Sequence, residues 1–463
     1  MAFLEQVSNI IRIRDLRRRL LITVALLAAC RIGVYVPVPG VDKSELGKLV
    51  GQAGGSLLNM MNLFTGGALG NGAIFALGVM PYISASIIFQ LLANVVPSLE
   101  QLRKEGESGR RKLNQYTRIA TVFICMFQGA IMIRGLGAYG VLNLSSDAWF
   151  ARSTFYMSNG FLLMAGTMLL MWIGEQIDEH GIGNGISLII MVNILSRLPG
   201  AIWIMGKDLA AQGGAQQNAV FTCVLLGILF LALIVAIVLI TRGERRIPVQ
   251  QAKHVRGPKV YGGQKHYLPL RVNQAGVMPL IFASALLQFP VIIAGFASKA
   301  LETNKESVWY KFFNFINEAS QGSGSTVPLL YVTFYGLLIF FFCYFWTAIM
   351  FNPKEMSESL KDYGSFIPGI RPGKHTADYL ESVMNRVTLA GSFFLVVIAL
   401  MPTLVARALN VNLAVAGFFG GTSILIVVGV ALDLATRINE HLEMRRYSRL
   451  AAGAAARRRT RRR

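Results

Sequence analysis

Five histidines, four cysteines and 24 carboxylates in 463 residues could build a catalytic or metal site if they clustered. They do not. Cys30, Cys125, Cys223 and Cys343 lie far apart, each inside an apolar run and without C-x-x-C spacing. They read as small apolar side chains, with neither a metal nor a disulfide. No paired carboxylates, nucleophile elbow or metal-spaced histidines stand out, so no enzymatic chemistry is expected. Two stretches invite a phosphate-binding reading. "GESGRRK" at 106–112 lacks Walker A spacing, and "GIGNGIS" at 181–187 is a three-glycine turn opening an apolar run, not a strand-to-helix loop. Neither predicts ATP binding, and any energy source must come from a partner.

The elements that would position such groups are membrane spans. Hydrophobic residues make up 54 % of the chain and charged residues 15 %, against roughly 25 % charged in an average soluble domain. Runs free of Asp, Glu, Lys and Arg recur at 76–99, 119–133, 153–174, 209–241, 272–298, 319–353, 387–406 and 408–432. Most reach the roughly 20 residues a helix needs to cross a bilayer. Two shorter spans, about 20–36 and 182–203, bring the expected crossings to ten. The first follows a basic leader, but it lacks a small-residue cleavage site and is kept as structure. Ion-coupled transporters keep ionisable groups at bilayer depth. Here Arg31 is expected near the outer interface, snorkelling, with Glu175 and Asp433 at span ends. The polar groups at depth are amides: Gln90, Asn94, Gln128, Asn193, Asn273, Gln274 and Gln288. Their plain reading is hydrogen bonding between helices.

Segments 1–19, 98–118, 241–271, 351–386 and 433–463 hold roughly three-quarters of the 45 lysines and arginines, which the positive-inside rule places in the cytoplasm together with both termini. The inside loop "GEQIDEHG" at 174–181 is the exception, with acids but no Lys or Arg. The loops at 241–271 and 351–386 are too long to be connectors and carry Arg245, Arg246, Lys253, Arg256, Lys259 and Arg371. The first alternates basic with β-branched or aromatic residues, as a projecting hairpin would. Docking of a large cytoplasmic partner, ribosomal RNA or a motor protein, fits such basic surfaces. The tail "RRRTRRR" at 457–463 reads as a contact for anionic lipids.

One stretch fits none of this. "FTGGALGNGAIFALG", Phe64 to Gly78, is apolar but too short and too rich in glycine to be a crossing.

Several motifs together supply a reading. "RIGVYVPVPGVD" (31–42), "GGALGNGAIFALGVMPYISASIIFQLL" (66–92), "KEGESGRRKLNQYTR" (104–118) and "GTMLLMWIGEQIDEHGIGNGISLII" (166–190) resemble the SecY family, the channel subunits of bacterial protein translocases. So do "LPLRVNQAGVMPLIFASALL" (268–287), "FNPKEMSESLKDYGSFIPGIRPGKHTADYL" (351–380) and "FGGTSILIVVGVALD" (419–433), in order along the chain.

That resemblance implies an all-α polytopic membrane protein of ten helices in two five-helix halves, 20–203 and 217–435, related by an inverted pseudo-twofold around an hourglass pore. The hinge loop is 204–216, and residues 1–19 and 436–463 are cytoplasmic. A plug at about 59–75 maps onto Asn62, Phe64, Gly66, Gly67, Gly70 and Gly72. Small residues would let it pack closely yet leave at little cost, and since the segment carries no charge, plug charge takes no part in sealing. The pore ring maps onto Val79, Ile83, Ile190, Ile281 and Ile426. A narrow aliphatic neck resists ions by dewetting and offers a passing chain no hydrogen bond to stick to. Lateral-gate candidates are Ser84, Ile87, Gln90, Asn94, Asn273, Gln274 and Gln288. Arg371 matches a loop position important for motor and ribosome action. Pro258 and Lys259 stand where adjacent bases are common in the family, a departure that bears on partner strength.

The implied function is a gated protein-conducting channel in the bacterial cytoplasmic membrane, with no cofactor. It would pass secretory chains outward and release transmembrane segments sideways. The implied partners are the SecE and SecG subunits, the SecA ATPase, the translating ribosome, signal sequences, nascent polypeptide and anionic lipids. A small-molecule secondary transporter is the alternative, opposed by the missing intramembrane carboxylates and the two large inside loops. A membrane scaffold would leave the glycine segment unexplained.

Overall fold

The structure is a computed structural model describing residues 13–52, 61–138, 140–142, 149–211, 216–251, 254–256, 259–261, 265–300, 307–321, 329–408 and 421–460. It is mostly helical. Among the described residues, five helices are long and apolar enough to cross a membrane: Glu107–Gly137, Ser153–His180, Val224–Arg242, Val332–Asp362 and Lys374–Met401. A sixth crossing is possible across Met80–Ala93 and Pro97–Lys104, a helix pair bent by 98°. Val96 is extended ahead of Pro97, as a residue preceding proline tends to be, and breaks the helix there. The chain forms two compact units, Met1–Ile204 with Val430–Arg463, and Met205–Gly429.

In the first unit, α1 (Arg14–Gly33) is followed by α2 (Lys43–Gln52), the glycine segment, α3 (Met80–Val95), α4 (Pro97–Lys104), α5 (Glu107–Ala138), α6 (Trp149–His180) and α7 (Gly185–Ala211), the last of which runs on past Ile204. Helix α5 packs on α6 and α3, and α1 packs on α6. Val38, Leu69, Leu77, Ile133, Leu142 and Leu163 form a buried cluster that joins the glycine segment to these helices. The acidic stretch expected as an inside loop at 174–181 is instead the end of α6, which runs to His180, and it finds a base on another helix: Arg118 on α5 lies 2.7 Å from Glu175. Asp178 Oδ1 accepts from the Gly185 amide at 2.7 Å, and Thr23 Oγ1 from that of Ile182 at 3.1 Å. Glu175 thus ties α6 to α5, and Asp178 closes the turn that follows α6.

In the second unit, α8 (Gln216–Arg242) leads into β1 (Glu244–Gln251), β2 (His254–Arg256), β3 (Lys259–Tyr261) and β4 (Lys265–Arg271). Then come α9 (Met278–Ala300), α10 (Val308–Gln321), α11 (Leu329–Met350), α12 (Pro353–Asp362), β5 (Ser365–Phe366), α13 (Lys374–Ala408) and α14 (Gly421–Thr460), which continues beyond Gly429. Helix α12 starts where Asn352 Oδ1 accepts from the Lys354 amide at 3.3 Å with Pro353 at the first position.

The strands correct the all-α expectation and give the predicted hairpin its form. β1 and β4 pair antiparallel from Glu244↔Arg271 to Gln250↔Lys265. β1 also pairs with β5 through Gln250↔Phe366 and Gln251↔Ser365, which ties the two basic loops into one sheet. Beneath it Ile247, Leu270, Phe351, Ile367, Leu380 and Val383 form one apolar cluster drawn from both loops. The loops, read from sequence as separate, are one body. Leu380 is wholly buried there; Leu380→Ala is expected to cost about 2 to 5 kcal/mol, and limited proteolysis should then cut both loops faster, not one.

Candidate functional site

Residues 61–78 form a buried knot of turns. One helical turn, 61–64, gives way to tight turns that continue to Gly78. Asn62 organises them. Its carbonyl accepts from the Gly67 amide at 2.8 Å, and its Oδ1 accepts from the Gly70 amide at 2.9 Å. Gly66 and Gly67 sit at φ +66° and +94°, the left-handed region that costs glycine little. The segment leaves along residues 36–38: the Val38 amide donates to Gly72 O at 2.7 Å, and the Ile74 amide to Val36 O at 3.0 Å. Phe64, Ala68, Leu69, Ala73 and Phe75 are buried. Broken backbone survives at membrane depth only with its polar groups satisfied by protein or water, and these contacts satisfy several of them. A Cβ on Gly166 of α6 would run into the Ile74 carbonyl. Gly166→Val is therefore expected to cost about 3 kcal/mol, seen as a lowered unfolding temperature in detergent.

Two side chains reach the segment from neighbouring helices. Asn193 on α7 donates its Nδ2 to Phe64 O at 3.2 Å. Arg31 on α1 donates to Gly66 O through Nη1 at 3.3 Å and Nη2 at 3.4 Å. Arg31 Nη1 also donates to Asn193 Oδ1 at 3.3 Å. Arg197, one helical turn after Asn193, brings its Nη1 to 3.0 Å from where a Cβ on Gly67 would stand. Sequence reasoning put Arg31 near the outer interface and Asn193 among helix-bridging amides; to those expectations the structure adds that both bond the glycine segment. The sequence signal was the spacing of Asn193 and Arg197, i and i+4 on one helix face, in a chain whose unpaired glycine carbonyls needed donors. The contacts also amend the expectation of cheap release, since Leu69 belongs to the core cluster and polar bonds hold the segment at its start.

The five ring candidates are buried, with Val79, Ile83, Ile190, Ile281 and Ile426 at 4, 6, 4, 6 and 1 % exposure. Val79 caps α3, which starts at Met80 and not at Ala76 because Gly78, at φ +60°, still belongs to the turns. The Ile83 amide donates to Val79 O at 3.1 Å, so the two stand one turn apart. The first three candidates belong to the first unit and the last two to the second.

Among the gate candidates, Ser84 Oγ donates to Met80 O at 3.1 Å, Gln90 Nε2 to Ser86 Oγ at 3.1 Å, and Ile87 is buried. Asn273 Nδ2 donates to Gly276 O at 3.0 Å, in the turns that precede α9, where Gln274 also lies. The side chains of Asn94 and Gln288 lie outside the described residues, as do Lys253, residues 59–60 of the plug mapping and residues 212–215 of the hinge. In the basic loops Arg245 and Arg246 are exposed on β1, Arg246 paired with Glu244 at 2.8 Å. Arg256 and Lys259 are backbone register partners in the β2–β3 pair, and their side chains lie outside the described residues. Arg371 is exposed, and its carbonyl accepts from Thr376 Oγ1 at 3.0 Å. Among the described residues no group of three or more His, Cys, Asp or Glu is placed to hold a metal ion.

A polytopic helical protein with a glycine-broken segment buried among its apolar helices belongs to the class of membrane proteins that keep irregular backbone inside protein or against an aqueous cavity. Solved structures agree on the fold. One described as a protein conducting channel superposes with a TM-score of 0.64 at 17 % identity over 92 % of both chains. Sec61 from the canine ribosome-channel complex superposes at 0.60, with 16 % identity over 92 % of each. The SecY family profile matches residues 73–435. The protein translocase subunit SecY of Escherichia coli K12 is 43 % identical over 434 residues, covering 94 % of this chain and 93 % of its own. That of Streptomyces galbus is 41 % identical over 444 residues, covering 94 % and 97 %. The chain belongs to the SecY family, a translocase subunit and not an enzyme.

Proposed function

We propose that this chain is the pore-forming subunit of a bacterial protein translocase, multi-pass in the cytoplasmic membrane with both termini inside. It passes unfolded secretory chains outward and releases transmembrane segments through a lateral gate. The observation that carries this reading is the buried segment 61–78, within a chain 43 % identical to a translocase subunit over 94 % of its length. In this reading the segment is the plug, and Val79, Ile83, Ile190, Ile281 and Ile426 make the constriction. Their burial supports it, because side chains serving only to meet lipid would be exposed, as Ile88 is.

Ten crossings in two inverted halves fit the charge pattern, and the division of the chain at Ile204 supports a boundary near the 204–216 hinge. SecE and SecG are the implied membrane partners. SecA and the translating ribosome are the implied cytoplasmic partners, meeting the joint body of the two basic loops. Gate opening at Ser84, Ile87, Gln90, Asn94, Asn273, Gln274 and Gln288 admits signal sequences. The test is reconstitution with the two membrane subunits and the motor in vesicles. Protease-protected preprotein should accumulate with ATP; none accumulating from a correctly inserted complex contradicts the proposal.

A further inference from the structure

We infer that Arg31 and Asn193 form a latch that holds segment 61–78 shut against α1 and α7, and so sets how readily the channel unseals. This rests on reading the segment as the plug. The division of carbonyls is the first ground. Those of Leu63, Thr65 and Gly67 accept amides from the segment's own turns. Those of Phe64 and Gly66, alternating with them, turn outward to Asn193 and Arg31. The second ground is closure of the group on itself, since Arg31 also donates to Asn193 Oδ1 and orients the amide so that its Nδ2 faces Phe64.

Steric fit is the third ground. A Cβ on Gly66 would stand 2.5 Å from Arg31 Nη1 and 2.8 Å from Asn193 Oδ1. Only glycine lets the carbonyl approach both groups.

The chemistry explains the direction of the effect. A guanidinium within a membrane protein is costly unless acceptors surround it, and its hydrogen bonds are of the strong, charge-assisted kind. Here the acceptors are the plug's own carbonyl and the amide of Asn193. Moving the segment away strips Arg31 of Gly66 O and leaves Asn193 without Phe64 O, so each favours the seated position. The segment itself carries no charge; the guanidinium hydrogen-bonded to it belongs to α1, and that of Arg197 on α7 lies beside Gly67.

The full chain, reconstituted with its membrane partners, is tested for resting ion leak without motor or substrate. Asn193→Leu keeps the bulk and loses both bonds, and Gly66→Ala leaves Arg31 and Asn193 in place but crowds both and strains the backbone at φ +66°. Each is expected to raise leak about tenfold, equivalent to about 1.4 kcal/mol in the seating equilibrium. Asn193→Asp retains an acceptor for Arg31 and should leak less than Asn193→Leu, a rescue that lost packing alone would not show. Deleting residues 62–72 should leak at least as much as Asn193→Leu. If the deletion leaks while Asn193→Leu matches the unsubstituted chain, the latch is wrong and the plug stands. If neither leaks, the plug reading itself falls. Equal leak from Asn193→Asp and Asn193→Leu also overturns the latch, leaving packing as what seats the segment. Elution as a single species in detergent guards against misfolding, and if Gly66→Ala fails there, the Asn193 pair decides.

Discussion

Ile83→Asn or Ile281→Asn raises the ion conductance of the resting channel and lets preproteins with weakened signal sequences through. Burying an isoleucine stabilises the sealed arrangement by about 1.5 to 3 kcal/mol, and both side chains are 6 % exposed. In the proposed constriction, a polar side chain forfeits that and would wet a neck held to exclude ions by staying dry. Since every 1.4 kcal/mol is about tenfold, conductance in planar bilayers should rise by roughly 10- to 150-fold. Ile190→Asn should behave alike. Unchanged conductance in all three, from protein inserted at normal levels, removes these residues from the constriction.

Arg371→Glu separates partner engagement from folding. The side chain is exposed and the hydrogen bond its residue makes is through the backbone carbonyl, so the substitution leaves that bond intact. Surface changes of this kind usually shift stability by only about 0.5 kcal/mol. The loop it belongs to shares a sheet and an apolar cluster with the other basic loop, so a charge reversal is presented to a partner on a rigid body and not on a yielding tether. Motor-driven export should fall by about tenfold or more, as expected when a like charge replaces a complementary one at a contact, while the amount of protein in the membrane is unchanged. Normal export of a preprotein in reconstituted vesicles would show that Arg371 meets no motor.

Much of this was legible in the residue pattern. Long uncharged runs announced the membrane helices, and the alternation in 244–251 announced a strand that pairs with 265–271. The glycine count of 64–78 announced broken backbone in a place where unbroken helix was otherwise the rule. What the pattern hid is long-range. The pairing of Gln250 and Gln251 with Phe366 and Ser365 spans more than a hundred residues of chain and involves only a few positions, too short a signal for periodicity. Arg31 looked interfacial because its place in sequence is the end of α1; which carbonyl it meets depends on where a separate segment folds back. Likewise Glu175 seemed an exception to the basic loops until Arg118 arrived from the preceding helix. The charge-free run from Ala76 carries no mark of where helix begins, since absence of charge is blind to backbone conformation; Gly78 at φ +60° decides the boundary and α3 starts at Met80.

The most direct test of the central claim is photocrosslinking. A secretory preprotein arrested part-way across is irradiated in complexes carrying a photoreactive amino acid at position 79, 83 or 281. Adducts to the arrested chain at all three positions, absent without substrate and absent from a probe at Ile88, which is exposed on the surface of α3, are predicted. Adducts to lipid alone at 79, 83 and 281 would contradict a polypeptide path lined by these side chains.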